Sequence, residues 1–223
     1  NPGELAEQFA CFFEEKIDKI RAGFTDEPEL EECEEPPPIL DKFEPVSQDE
    51  VKKIIMSGNS KSCLLDPIPT TLLKASLDVL LPVVTKIINL SLSTLSVPSR
   101  FKTAIVFPLI KKVLLYKEDF KNYRPVSNLP FLGKITEKVV VKQMSGHMKE
   151  NKLQDVFQSA YREGHSTETA LLCVYDDLLN AVDKKQCVLL TLLDLSAAFD
   201  TINHSVLLHR FKHGVGITGE ALQ

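Results

Sequence analysis

The sequence predicts an α+β fold rich in helix, and three observations point there. Helical spacing or helix-start signals recur along most of the 223 residues. Only two short runs, Thr103–Leu109 (TAIVFPL) and Val188–Leu193 (VLLTLL), read as strands. The hydrophobic share of 43% and charged share of 26% are those of an ordinary globular chain.

Leu5, Phe9, Phe12, Phe13, Ile17 and Ile20 recur at three- and four-residue steps, so Gly3–Arg21 is expected to be an amphipathic helix. From Thr25 to Pro38 the acidic, proline-rich string predicts an extended or disordered linker. Val46, Ser47, Glu50 and Val51 form a capping box with a hydrophobic staple, placing a helix at about Gln48–Met56. Asp66, Pro67 and Pro69 impose a turn, after which Thr70 or Thr71 is expected to cap a helix. Pro82, tolerated in a first turn, is expected to open the next helix toward Leu95. Pro108 requires an edge or a bulge in the first strand. Pro125 and Pro130 hold RPVSNLP extended, and Phe131–Glu150 follows as a long helix. Ser166 or Thr167 caps a helix running to about Val182, with Glu168 near its positive end. Lys184 and Lys185 turn the chain into the second apolar run, and His204–Phe211 reads as a helix closed by Gly214 and Gly216.

Residues 1–50 hold 4 Lys+Arg against 16 Asp+Glu, a net of −12, whereas Arg100–Lys152 holds 12 against 4, a net of +8. That basic stretch is either a phosphate-facing surface or a solvated helix face. Five cysteines without a CxxC pair indicate neither a disulfide framework nor a zinc ribbon, and a reducing intracellular compartment, nucleus or cytoplasm, is the default. Lys74, Asp78, Pro82 and Lys86 interrupt the greasiest stretch, which argues against a membrane span. With Asn first and no signal segment, the chain reads as a fragment.

Val188–Leu193 suits a strand covered on both faces, and Asp194 stands at its end. A carboxylate buried there costs several kcal/mol unless a cation or donors compensate, so a metal ligand and a turn-capping aspartate are the competing roles. Phe199 can be core, and Asp200 can cap Thr201–His204. His209 and His213 share a helical spacing, but no carboxylate or thiol is placed to complete a zinc set.

The string LLDLSAAFDTINH at Leu192–His204 resembles the first catalytic motif of the reverse transcriptases of LINE-like (non-LTR) retrotransposons. KNYRPVSNLPFLGKITEKVV at Lys121–Val140 and FQSAYREGHSTETAL at Phe157–Leu171 resemble that family's two preceding motifs, in the same order. SCLLDPIPTTLLK at Ser62–Lys74 resembles the segment ahead of the polymerase in the same elements. The resemblance implies the helix-rich fingers and partial palm of a right-hand polymerase, with an incomplete sheet. It divides the chain into a connector helix and acidic linker (1–45), a helical pre-polymerase segment (46–100) and a partial reverse transcriptase domain (101–223).

It also implies roles. Asp194, with the backbone carbonyl of Leu195, would hold Mg2+; Phe199 would lie beneath the incoming sugar as a steric gate. Arg124 and Arg162 would contact the triphosphate or template, with Lys134 as a further candidate and Gln158 and Gly164 shaping the second loop. The partners implied are an RNA template, a DNA primer and deoxynucleoside triphosphates. Two-metal transfer needs more than one carboxylate, and the family's later Phe/Tyr-Ala-Asp-Asp hairpin is not in the sequence, so the chain alone is expected not to extend primers. Asn203, Glu163 and the greasy Val113–Tyr116 depart from the family's pattern. A non-enzymatic nucleic-acid-binding module, built on Arg100–Lys152 with its interleaved Phe and Tyr residues, is the alternative. A protein-interaction role for the Phe-rich first helix is a third.

Overall fold

The computed structural model describes residues 1–24, 36–59 and 61–223; the expected acidic linker falls almost wholly outside them. Helices α1 (Pro2–Arg21), α2 (Gln48–Ser57), α3 (Thr70–Ala75), α4 (Leu77–Ser93) and α5 (Ser99–Lys102) precede a hairpin of β1 (Ile105–Ile110) and β2 (Tyr123–Asn128). Helices α6 (Phe131–Glu150), α7 (Thr167–Asp183) and α8 (His204–Arg210) follow. The α+β class is as expected: helix dominates, and β1–β2 is the only sheet among the described residues.

One core joins α2, α4 and α6, with Leu73 of α3 added to it. Val51 and Ile55 of α2, Leu77, Val84 and Ile88 of α4, and Phe131, Ile135 and Val139 of α6 bury together, drawing the core from both sides of residue 100. Ser47 fixes the start of α2 through the full capping box with Glu50, and Val46 packs onto the core as the staple predicts. Across the helices, Lys142 lies 3.0 Å from Glu50. Its hydrogen bond and charge hold the Glu50 carboxyl below the ordinary carboxylate range. The pair's contribution is therefore present above that range and lost as pH falls through it, and it is small because both side chains are exposed.

Two helix starts differ from expectation. Neither Thr70 nor Thr71 caps α3; the Thr70 N–H donates instead to the Ser62 hydroxyl at 2.8 Å, an acceptor supplied by the preceding loop. Pro82 does not open a helix but lies inside α4, which begins at Leu77. Proline there removes the bond to the Asp78 carbonyl, at a cost of roughly 3 kcal/mol. Burial of Leu77, Leu81, Val84 and Ile88 on one continuous stripe offsets it.

In the hairpin Pro108 stands directly opposite Pro125. Lys111 N–H donates to the Asn122 carbonyl at 2.8 Å, so hydrogen-bonded pairs fall at odd positions of β1 and the two prolines meet at a pair that exchanges no bonds. No ladder donor is lost, which meets the edge requirement read from the sequence.

The largest departure is at Val188–Leu193. These residues form no regular secondary structure, and Leu189, Leu192 and Leu193 are 91%, 84% and 90% exposed. A strand exists only through a neighbour's hydrogen bonds, and among the described residues none lies beside this run.

Asp66 carries a larger structural load than a turn residue. Its Oδ2 accepts from Cys63 N–H at 2.6 Å and its Oδ1 from Phe131 N–H at 2.7 Å, tying the Cys63–Asp66 turn to the first residue of α6. Asp66→Ala strips both charge-assisted bonds from part-buried donors and should cost about 3 kcal/mol in urea unfolding, with Asp66→Asn recovering part of the loss.

Candidate nucleic-acid interface

The residues singled out from the sequence fall on two surfaces. The first is the hairpin face and the helix behind it. Opposite residues of an antiparallel pair share a face, so Arg124, Val126 and Asn128 of β2 lie with Phe107 and Leu109 of β1. Arg124 is exposed, and its side chain carries no hydrogen bond or ion pair among the described residues. Lys134 on α6 reaches the same face, its Nζ donating to Asn128 Oδ1 at 2.6 Å.

Between this face, α6 and the residues Gly58, Asn59, Lys61 and Ser62 lies a cleft of about 510 Å³. Lys61, Lys134 and Lys138 line it with Phe107, Ser127 and Asn128, and no carboxylate does among the described residues. Phe107 is one of the aromatics interleaved in the basic stretch Arg100–Lys152, read from the sequence as a stacking surface, whereas Lys61 and Lys138 were not singled out as site residues. The four-residue step from Lys134 to Lys138 was the available signal, since it sets both ammonium groups on one helix face. Lys61 had none, because its place beside α6 depends on tertiary packing and not on local spacing.

The second surface holds the Asp194 loop. Asp194 and Leu195 are exposed, and no hydrogen bond or ion pair joins Asp194 to Arg124, Arg162 or Lys134 among the described residues. Phe199 is 73% exposed, so it is not core. Its ring meets Tyr161 edge to face at 6.1 Å, bringing the Gln158–Gly164 loop against the Asp194 loop. Tyr161 and Ala197 both adopt positive φ, 59° and 51°. For residues with a Cβ this costs about 1–2 kcal/mol each, so the strain sits on the two facing loops.

Arg162 is turned inward. Its Nη1 donates to the carbonyls of Asp155, Val156 and Gln158 at 3.2–3.5 Å, bracing its own loop and leaving its other donors free of bonds among the described residues. Gln158 adds to the loop's shape through Nε2–H to the Ala160 carbonyl. Gly164 has φ of 75° with open space around it, so the backbone conformation, not crowding, favours glycine.

Asp200 does not cap the following helix. Asn203 does, its Oδ1 accepting from Ser205 and Val206 N–H. The Asp200 carbonyl instead accepts from Arg21 Nη2 at 3.1 Å, fastening α1 to this loop. Helix α1 also stacks on the loop end of the hairpin, with Phe9 against Phe120 at 4.4 Å and Tyr123 at 4.9 Å. Ser196 faces Lys16, Lys19, Lys111 and Lys121 across a smaller basic cleft.

His209 and His213 stack at 4.2 Å, and no group of three or more metal-ligating side chains gathers among the described residues. Cys11, Cys63, Cys173 and Cys187 are free thiols. No described helix is long and apolar enough to cross a membrane.

Residues 115–216 match the family model for reverse transcriptase (RNA-dependent DNA polymerase). Among curated relatives, the probable RNA-directed DNA polymerase from transposon BS of Drosophila melanogaster is 27% identical over 95% of this chain and 24% of its own length. The corresponding polymerase from the X-element of the same fly is 26% identical over 90% of this chain and 21% of its own. That from its mobile element jockey is 32% identical over 52% and 12%. The chain thus spans about a quarter or less of the length of these relatives. Residues 115–216 thus match the reverse transcriptase family, and the chain is similar to the RNA-directed DNA polymerases of transposons and mobile elements of Drosophila.

Proposed function

We propose that the chain supplies the fingers and the first part of the palm of an RNA-directed DNA polymerase that copies an RNA template from a DNA primer. The match over residues 115–216, which contains Asp194 in an exposed loop beside Phe199, carries this reading. In it, residues 1–45 are a connector, 46–100 a helical segment preceding the polymerase and 101–223 part of the reverse transcriptase domain.

Nucleotidyl transfer asks a protein chiefly to position charge. Magnesium takes oxygen donors, typically one or two carboxylates together with substrate phosphates. The Asp194 carboxylate and Leu195 carbonyl are of that chemistry, and both residues are exposed with no competing ion pair among the described residues. They would hold Mg2+, which when bound offsets the charge of the triphosphate. Phe199 presents a ring, propped by Tyr161, on which a 2′-hydroxyl would clash. Arg124 offers a fork of donors for phosphate, and Arg162 both braces its loop and keeps donors for the same use. One carboxylate cannot hold two ions, so the 223-residue chain by itself is expected to incorporate nothing.

The test is primer extension. The product of the whole open frame in the transcript carrying these codons is supplied with a primed RNA template, deoxynucleoside triphosphates and magnesium. Nucleotide incorporation is expected; a folded product that binds primed RNA but adds no nucleotide overturns the polymerase reading. That second result would leave a nucleic-acid-binding module, which the acid-free lysine cleft favours.

A further inference from the structure

We propose that α1 is a clasp: it fixes the loop end of the hairpin at a set distance from the loop that carries Asp194 and Phe199, and so regulates how those two surfaces meet a nucleotide. This rests on the reading above of a polymerase site and deepens it. It assigns control of the spacing to a helix outside residues 115–216, the part that matches the family model.

Two separated anchors are the first argument. Phe9 is buried, its ring against Phe120 at 4.4 Å and Tyr123 at 4.9 Å, and Phe12 meets Phe120 edge to face at 5.8 Å. At the last residue of the helix, Arg21 Nη2 donates to the Asp200 carbonyl at 3.1 Å. The helix between Phe9 and Arg21 is about 18 Å long. Both anchors adjoin the proposed functional side chains, since Tyr123 precedes Arg124 and Asp200 follows Phe199.

The helix face between the anchors is the second. Phe12, Lys16 and Ile20 lie at four-residue steps on one stripe. That stripe lines a cleft of about 460 Å³ together with Lys111 and Lys121 of the hairpin's connecting loop and with Ser196 of the Asp194 loop.

The third is that the two surfaces lack another tie. Among the described residues no hydrogen bond, ion pair or ring contact joins the hairpin directly to residues 187–203. Each is braced within itself. Lys111 Nζ donates to the Lys121 carbonyl at 2.6 Å and the Tyr123 hydroxyl to the Lys117 carbonyl at 2.9 Å. The Asp200 and Thr201 N–H groups donate to the Ala197 carbonyl at 2.9 and 3.1 Å. A nucleotide reaching from Arg124 to Asp194 needs both at one spacing, and its affinity falls with the fraction of molecules that hold it.

Hydrogen exchange read by mass spectrometry on the 223-residue chain tests the clasp. Phe9→Ala keeps a good helix former and removes the ring at the hairpin end. Arg21→Ala, at an exposed position, removes the bond at the other end. Each should speed exchange at the far anchor, Phe9→Ala at the Asp200 and Thr201 amides and Arg21→Ala at the Lys121, Asn122 and Tyr123 amides. The expected rise is about two- to tenfold, the factor carried by one net hydrogen bond. Amides of Val51 and Ile55 should not change, because neither substituted residue belongs to that core. In primer extension by the open-frame product, Arg21→Ala should raise KM for deoxynucleoside triphosphates about tenfold with kcat nearly unchanged, since saturating nucleotide restores the spacing. Arg21→Lys, which keeps a cationic donor, should recover part of the loss. Exchange that changes only at the near anchor of each variant, or an Arg21→Ala effect on kcat alone, overturns the proposal. Failure of the unsubstituted product to extend primers refutes the polymerase reading instead, and exchange then decides the clasp by itself.

Discussion

Asp194→Asn should abolish primer extension by the open-frame product, lowering the incorporation rate by more than about 10³-fold while leaving affinity for primed RNA nearly unchanged. The substitution keeps size and one oxygen acceptor but removes the anionic charge. Charge is what matters, because a ligand to a divalent ion in phosphoryl transfer contributes several kcal/mol of transition-state stabilisation, and each ~1.4 kcal/mol is tenfold in rate. The fold should not suffer, since Asp194 is exposed and makes no hydrogen bond or ion pair among the described residues. Unfolding midpoints measured alongside rates separate the two effects. Extension at the unsubstituted rate by Asp194→Asn would remove Asp194 from the metal site, and an equal fall in stability would assign it a structural role.

Short-range chemistry explains which parts of the fold could be read from the sequence. Helix α6 begins and ends where the proline before Phe131 and the helical spacing put it, and α2 and α7 start at Ser47 and Ser166, whose capping partners lie three residues away. Gly216 closes the α8 region as its residue type suggests: its φ is 77° and a Cβ there would lie 2.0 Å from the Pro38 carbonyl oxygen. Misreadings arose where a distant partner decides. Pro82 is kept inside α4 by burial against α2 and α6, Thr70 is served by Ser62, and Asp66 bonds to an amide 65 residues away. The site follows the same division. Arg124, Lys134, Phe199 and Asp194 were legible as motif residues. That Arg124 and Lys134 share one surface while Phe199 shares another with Tyr161 depends on hairpin register and loop packing. The inward turn of Arg162 likewise depends on carbonyls its own loop happens to present.

Ile55→Ala and Leu193→Ala should differ sharply, although each removes a few methyl or methylene groups from a large aliphatic side chain. Ile55 is 0% exposed between α2, α4 and α6, so truncation leaves a cavity and should cost about 2–5 kcal/mol. Set against a typical stability of roughly 5–15 kcal/mol, that is a large fraction, and the urea midpoint should fall steeply or the chain unfold outright. Leu193 is 90% exposed, and its truncation should stay within about 0.5 kcal/mol. The comparison bears directly on the Val188–Leu193 run, which the sequence alone suggests is a covered strand. If Leu193→Ala cost as much as Ile55→Ala, that run would be paired and buried in solution, and Asp194 would then stand at a strand end instead of in an open loop. A near-zero effect fits a run whose apolar side chains have nothing to pack against within this chain. It would also mean that the stability of the 223 residues resides in the α2–α4–α6 core, the support on which the hairpin and its lysine cleft are held.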